Sequence, residues 1–426
     1  MVRRTLAFLS GVLVAGTLAL AACTVAPGAV PTAGAVPATL TAPGAHPVVP
    51  TGAAAGHGVA ILAPLTGTNA ELGQALVRAA QIALSDPGSP ALDVRDTGGT
   101  PGGAAAAAQA AISAGARLII GPLTSGETAA VAGPAISAGV PVLAFTNDTG
   151  QAKPGVWALG LTPAQQVRRL VGAMVAQDKT RFAALLPDTE FGQAMSIALT
   201  QAVTGANLPA PNIRTYSGGI GSINGVVRDL SDYANRRGPL DAQIKAARER
   251  HDAEGRRRAA ELVREPIPPP PFDALLLADS GDRLGAVTSL LPYYDLDAPA
   301  VRVLGPALWA SQAARGDAKL NGAWFAAPDP AIRSGFDAQY TQAAGSPAPG
   351  IADFAYDAAA IARVLAQSGG YSVADLCRPE GYAGVDGVLA LLPDGTVRRG
   401  LALFEIQAGS PVMIEPAPDN LTAPGI

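Results

Sequence analysis

From residue 57 onward, short apolar runs alternate with stretches whose apolar residues recur every three or four positions. Residues 59–64 (Val-Ala-Ile-Leu-Ala-Pro) form an unbroken apolar run, the pattern of a strand covered on both faces. Behind it, Leu72, Leu76, Ala80 and Leu84 fall on one face of a helix. The alternation continues with a strand at 92–95, an alanine-rich helix at 103–114 and a strand at 117–120. A helix at 127–138 and a strand at 140–145 follow. These strands begin 23 to 33 residues apart, room for one crossover helix each, which predicts right-handed βαβ units and a parallel sheet.

The rhythm restarts with a strand at 182–186 and a helix at 192–203, then strands at 212–216, 272–277 and 301–304. Two such runs predict an α/β protein with two doubly wound parallel-sheet lobes. Ligands of these sheets bind beyond the carboxyl ends of the strands. The loops after Ala63, Ile120, Phe145, Leu186, Leu277 and Leu304 are therefore expected to ring a cleft between the lobes.

One stretch departs from the pattern. Residues 235–265 hold nine Arg/Lys and six Asp/Glu and run into Pro266-Ile267-Pro268-Pro269-Pro270-Pro271. The core of this insert (235–271), at 241–264, is rich in helix formers, and its only large apolar residues are Ile244, Leu262 and Val263. A helix polar nearly all round is solvated or faces a partner.

The N-terminus reads differently again. Arg3 and Arg4 precede an uncharged, mostly apolar stretch that ends Leu20-Ala21-Ala22-Cys23. A basic start, a short apolar run and small residues at the cut describe a secretory signal peptide. The run is shorter than the ~20 residues of a membrane span, and Pro27 and Gly28 follow closely. Cysteine directly after the small residues resembles a bacterial lipoprotein signal, which implies a signal peptide at 1–22 and an acylated Cys23. Residues 24–56 contain no Asp, Glu, Lys or Arg and are almost all Ala, Pro, Gly, Thr and Val. Such a segment cannot bury a face, so 23–56 is expected to be a lipidated, disordered tether, spanning roughly 30 Å as a coil or ~100 Å extended.

Lipidation of Cys23 would leave Cys377 as the only other cysteine, so no internal disulfide is available and stability rests on the core. With 426 residues and 49% hydrophobic composition, the chain can build a large one. A net charge of -4 supplies no basic field for nucleic acid.

Catalytic signatures are missing: no G-x-x-x-x-G-K-[ST], no H-E-x-x-H, no G-x-S-x-G and no Ser three residues before any of the four lysines. His46, His57 and His251 lie off the cleft loops, so neither a metal cluster nor a Ser/His pair is expected, and no cofactor is called for. Two carboxylate pairs on cleft loops, Asp188 with Glu190 and Asp279 with Asp282, keep glycan cleavage as an alternative. The cleft loops otherwise carry hydroxyls and amides: Thr66, Thr68, Asn69, Thr124, Ser125, Thr146, Asn147 and Ser280. Near helix N-termini such groups hold anionic ligands, and the same groups serve as N-caps.

Several runs carry a family resemblance. They are Val59-Ala-Ile-Leu-Ala-Pro-Leu-Thr-Gly-Thr-Asn-Ala-Glu-Leu-Gly-Gln74, Gly121-Pro-Leu-Thr-Ser125, Phe272-Asp-Ala-Leu-Leu-Leu-Ala-Asp-Ser-Gly281 and Phe354-Ala-Tyr-Asp-Ala-Ala359. They resemble receptors of the leucine/isoleucine/valine-binding type, with the type I periplasmic-binding fold. The stretch Arg95-Asp-Thr-Gly-Gly-Thr-Pro-Gly-Gly103, the lipobox and the arginine-rich insert most resemble the penicillin-binding-protein activator lipoproteins.

The resemblance implies a receptor-like domain at 57–426. Lobe 1 would be formed from about 57–160 and 328–380, lobe 2 from about 161–327 and 381–426. It implies that Ser125 and Thr146 hold a ligand's carboxylate or amine and that Phe191 stands where the receptors often have Tyr. Ala307 occupies the place of the acid that pairs the ligand's ammonium, which counts against a free α-amino acid unless Asp279 or Asp282 substitutes. The candidate cleft residues are thus Thr66, Asn69, Thr124, Ser125, Thr146, Asn147, Phe191, Asp279, Ser280 and Asp282, with Cys23 as the lipid site. The expected function is non-catalytic: activation of a peptidoglycan-synthesising penicillin-binding protein from a lipid anchor, in the outer membrane rather than the inner. The alternative is the solute-binding component of an ABC importer for an amino-acid-like or amide ligand.

Overall fold

The computed structural model describes residues 38–39, 58–310 and 318–422. Cys23, the signal sequence and nearly all of the expected tether lie outside the described residues. Within that tether, Ala38–Thr39 form a short strand, β1.

The first sheet is built from β2 (Val59–Ala63), β3 (Leu92–Asp96), β4 (Leu118–Ile120), β5 (Val142–Ala144) and β6 (Val156–Ala158), all parallel, in the order β3-β2-β4-β5-β6. Every residue of β2 and β4 is fully buried, as a continuous apolar run between two helical layers requires. The connecting helices are α1 (Ala70–Ala83), α2 (Pro101–Ser113) and α3 (Ser125–Ala138). α2 starts where Thr100 accepts a hydrogen bond from Gly103 N and Pro101 opens the first turn. α3 starts on a reciprocal capping box between Thr124 and Glu127.

The second sheet follows α4 (Pro163–Val175). It takes β7 (Phe182–Pro187) and β8 (Asn212–Tyr216), with α5 (Glu190–Gly205) between them. After α6 (Ile220–Leu230), α7 (Tyr233–Glu249) and α8 (Ala253–Leu262) come β9 (Ala274–Leu277), α9 (Gly281–Leu290), β10 (Arg302–Gly305) and β11 (Trp324–Ala327). The chain then returns to the first lobe with α10 (Pro330–Ala344), α11 (Ala352–Ser368), the short α12 (Val373–Leu376) and the strands β12 (Tyr382–Gly384), β13 (Gly387–Leu391) and β14 (Val397–Arg399). Finally β15 (Ala402–Gln407) and β16 (Ser410–Glu415) join the second sheet antiparallel, giving the order β16-β15-β11-β10-β9-β7-β8.

The lobes divide as the residues pack. Tyr382, Leu389, Leu391 and Val397 share one apolar cluster with β2, β4 and the nearly wholly buried α11. Residues 382–399, expected with the second lobe, therefore pack with the first. The chain passes between lobes three times: at 159–162, at 328–329 and at 400–401.

The insert also differs from the single polar helix expected. It is a hairpin, α7 against α8, with a core of its own made by Leu240, Ile244, Ala247, Ala259 and Leu262. Asp252 ends the turn by accepting from Gly255 N, and a Cβ at Gly255 would overlap Ala247 O. A side chain there would push the two helices apart.

Charge is buried at the third crossing. Arg399, 1% exposed, lies 3.5 Å from Asp357 Oδ2 and 3.8 Å from Asp386 Oδ2 and donates to Leu159 O at 3.2 Å. Asp353, on the same helix as Asp357, accepts from Arg333 Nε at 2.7 Å. Burial pushes the Asp357 carboxyl up to about 7, with Asp386 adding to the rise and Arg399 opposing it. Burial also raises Asp353 and Asp386. The folded state thus holds protons that the unfolded chain releases above the ordinary carboxylate range. Stability therefore falls as pH rises through that range, levelling off for Asp357 above about 7. Thermal melts should show a midpoint several degrees higher at about pH 5 than at about pH 8, and Asp357→Asn should flatten that slope.

Candidate functional site

The cleft is built from strand ends in one lobe and helix starts in the other. After β4, Gly121 turns the chain at φ +85°, pressed against Leu62 O where a Cβ would not fit, and the Gly121–Pro122 bond is cis. The turn delivers Thr124 to the cap of α3 and Ser125 to its first position. Beyond β5, Thr146 is buried, its Oγ1 lying 3.2 Å from Ser125 Oγ and accepting from Asp148 N at 3.1 Å. Burial works against the charge of the neighbouring Asp148. Hydrogen bonds from Gln151, Gly150 N and Ser125 outweigh it and hold the carboxyl below its usual range.

The opposite wall comes from α4, α5 and the loop after β10. Gln166 on α4 accepts from Ala307 N at 2.7 Å through Oε1 and donates to Thr162 O, so its amide is fixed. Phe191 sits in the first turn of α5. Ile351 and Phe354, at the start of α11, close one end. Together these groups enclose a cavity of about 750 Å³, within the size range of small-molecule sites. Phe145, Phe191 and Phe354 with Leu123, Leu161 and Leu308 make the wall largely apolar, and no lining side chain carries a charge.

Thr124, Ser125, Thr146, Asn147 and Phe191 are thus brought together on the cavity wall. The other candidates stand elsewhere. Thr66 donates to Asp96 Oδ2 at 2.7 Å in an exposed turn, and Asn69 occupies the cap position of α1 without a side-chain cap bond. Ser280 and Asp282 are exposed at the start of α9. Asp279 is buried and engaged: it accepts from Tyr216 Oη at 2.7 Å and Ser280 N at 2.8 Å, and pairs with Arg283 at 3.2 Å. Its backbone oxygen receives Trp309 Nε1 at 3.0 Å, fixing the wall that bears Ala307.

Gln166 and Gly160 were not read from the sequence. A helical glutamine and a loop glycine carry no motif, and only the path of the crossing brings them to the cleft. Phe354 belongs to a run noted for resemblance alone. The arrangement offers hydroxyl and amide hydrogen bonds inside an apolar wall, a constellation suited to holding a molecule. Among the described residues there is no cluster of His, Cys, Asp and Glu able to hold a metal ion, and no helix is long and apolar enough to cross a membrane.

A sequence profile for the periplasmic binding protein matches residues 58–410, most of the chain. The chain belongs to the periplasmic binding protein family. Its fold, two mainly parallel sheets with a cleft between them and a third, four-stranded sheet β1-β12-β13-β14, is that of the type I periplasmic-binding proteins.

Among solved structures, the C-domain of LpoA from Haemophilus influenzae, a regulator of PBP1A, is similar at TM-score 0.60 and 18% identity. That match covers 84% of this chain and 99% of the other. Full-length LpoA from the same organism matches at TM-score 0.59 and 18% identity over 84% of this chain, which spans 59% of that longer protein. A putative branched-chain amino acid ABC transporter from Rhodospirillum rubrum matches at TM-score 0.61 and 18% identity, over 84% of this chain and 99% of that one. At such identity the likeness is one of fold. A comparison with curated proteins finds no match.

Gly160 is a second close approach in this periplasmic binding protein's cleft. Its N–H donates to Thr146 O at 3.0 Å, and a Cβ would stand 2.7 Å from Asn147 N. Gly160→Ala should destabilise the fold by about 1–3 kcal/mol in urea unfolding, because two stretches of backbone must separate.

Proposed function

We propose that this chain is a lipid-anchored, non-catalytic envelope protein that binds and stimulates a peptidoglycan-synthesising penicillin-binding protein. One observation carries the reading against its main rival. The cavity has no anionic side chain for an amino acid's ammonium: Ala307 is neutral, and Asp279 is engaged by Tyr216 and Arg283. A desolvated ammonium left without a partner costs several kcal/mol. The likeness to the C-domain of LpoA, a regulator of PBP1A, supports the same direction. The test is a glycan-polymerisation assay with a penicillin-binding synthase of the same cell. Adding the protein should raise the rate several-fold, and an unchanged rate would sink the activator reading.

A second reading keeps a specific observation in its favour. The cavity of about 750 Å³ survives between the lobes, with Ser125 and Thr146 on its wall. A solute receptor for an ABC importer needs such a space, and the Rhodospirillum rubrum neighbour supports it. On the first reading, calorimetry with the common α-amino acids gives no tight binding. A micromolar ligand would overturn that expectation and promote the importer.

The anchor rests on the lipobox-like run ending at Cys23 and on the uncharged segment behind it. Cys23→Ala should move the protein from the membrane to the soluble fraction, since the sequence of 24–56 has no Lys or Arg and no amphipathic pattern to supply a second hold. Thr24, in place of an Asp after the cysteine, supports the outer membrane over the inner.

A further inference from the structure

The α7–α8 hairpin has a charge arrangement that its sequence total conceals. Residues 235–265 hold nine Arg/Lys and six Asp/Glu, and all six acids find a basic partner inside the hairpin. Asp241 pairs with Arg237 at 2.8 Å, and Glu249 with Lys245 at 3.9 Å. Asp252 and Glu254 share Arg250, while Glu261 and Glu265 share Arg258. Arg236 is engaged at the base: buried, it donates to Pro268 O, Ser231 O and Tyr294 O and pairs with Asp295 at 2.9 Å. Arg248, Arg256, Arg257 and Arg264 remain, exposed and without an acidic partner among the described residues. On a chain of net charge -4 the hairpin thus carries four exposed guanidiniums that no acid of its own neutralises.

The hairpin is also stiff. Its apolar side chains face one another, Gly255 lets its helices close, and Arg236 ties it to the second lobe at Ser231, Tyr294 and Asp295 and to its own proline run at Pro268. We propose that this hairpin is the docking face for an acidic surface of a protein partner, with Arg248, Arg256, Arg257 and Arg264 as the contacts. Guanidinium forks match carboxylates in fixed, bidentate geometry, which a rigid presentation exploits. A bilayer would call instead for an apolar face beside the charges, and Val263 is the only exposed large apolar residue in these two helices and their caps. Resting on the activator reading above, the partner is the penicillin-binding synthase.

The experiment compares the intact protein with the quadruple variant R248Q/R256Q/R257Q/R264Q. Thermal melts check that both fold. Association with the purified synthase is followed at low and high salt alongside glycan polymerisation. An arm with phosphatidylglycerol vesicles tests lipid. The variant should melt like the parent, associate about tenfold more slowly at low salt, lose most of its salt dependence and stimulate weakly. Equal association and equal salt dependence in the two proteins would overturn the docking face while leaving the activator reading intact. Vesicle binding that needs the four arginines, with synthase association unaffected, would overturn it in favour of lipid. An intact protein that neither binds nor stimulates the synthase would overturn both.

Discussion

Two buried arginines hold the joint on which the cleft depends. Arg399 ends β14 and donates to Leu159 O, so it ties the third crossing to the first. Arg169, on α4, donates to Leu401 O at 2.8 Å and pairs with Glu415 at 2.6 Å, binding the same crossings from the second lobe. A buried guanidinium must be hydrogen-bonded and paired, and here backbone oxygens of the crossing segments supply part of that requirement. The carboxyls that Arg399 faces, on Asp357 and Asp386, lie in the first lobe. The spacing of the lobes is therefore set by where these cations find their acceptors.

The cleft inherits its character from that joint. Leu159 leads directly into Gly160 and Leu161, and Gly160 brings the crossing against the backbone that carries Thr146 and Asn147. Across the gap, Gln166 clasps Ala307 N, so the place where an acid could meet an ammonium is instead a fixed, neutral wall. Three phenylalanine rings and four aliphatic side chains make up most of the rest. The wall offers shape and hydrogen bonding rather than charge.

Much of this was legible in the sequence because the central strands are buried on both sides. Unbroken apolar runs such as 59–63 and 182–186 announce themselves, and Thr124 with Glu127 spells a helix start. The C-terminal strands did not announce themselves. Strands of three to six residues joined by tight turns, such as β12 to β14, give too short a window for any periodicity to show. The charged insert was legible as helix but not as two helices, because its apolar residues are few and serve only each other. Asp279 shows the limit for sites: a strand-end aspartate reads the same whether it faces a ligand or is held by Tyr216 and Arg283. Only the third dimension separates the two.

The three crossings have a consequence for how the chain acquires its structure. Each lobe is assembled from two stretches of sequence: β2 to β6 wait for α10, α11 and β12 to β14, and β7 to β11 wait for β15 and β16. The apolar cluster that α11 completes draws on β2, β4 and α1 side chains such as Ile61, Ile120 and Leu76, and it stays incomplete until some 290 residues later in the chain. Contacts of such high sequence separation are slow to form and leave apolar surface exposed meanwhile. A chain emerging from its amino end cannot finish either half alone: the first waits for the segment that ends at Arg399, and the second for β15 and β16, which follow it.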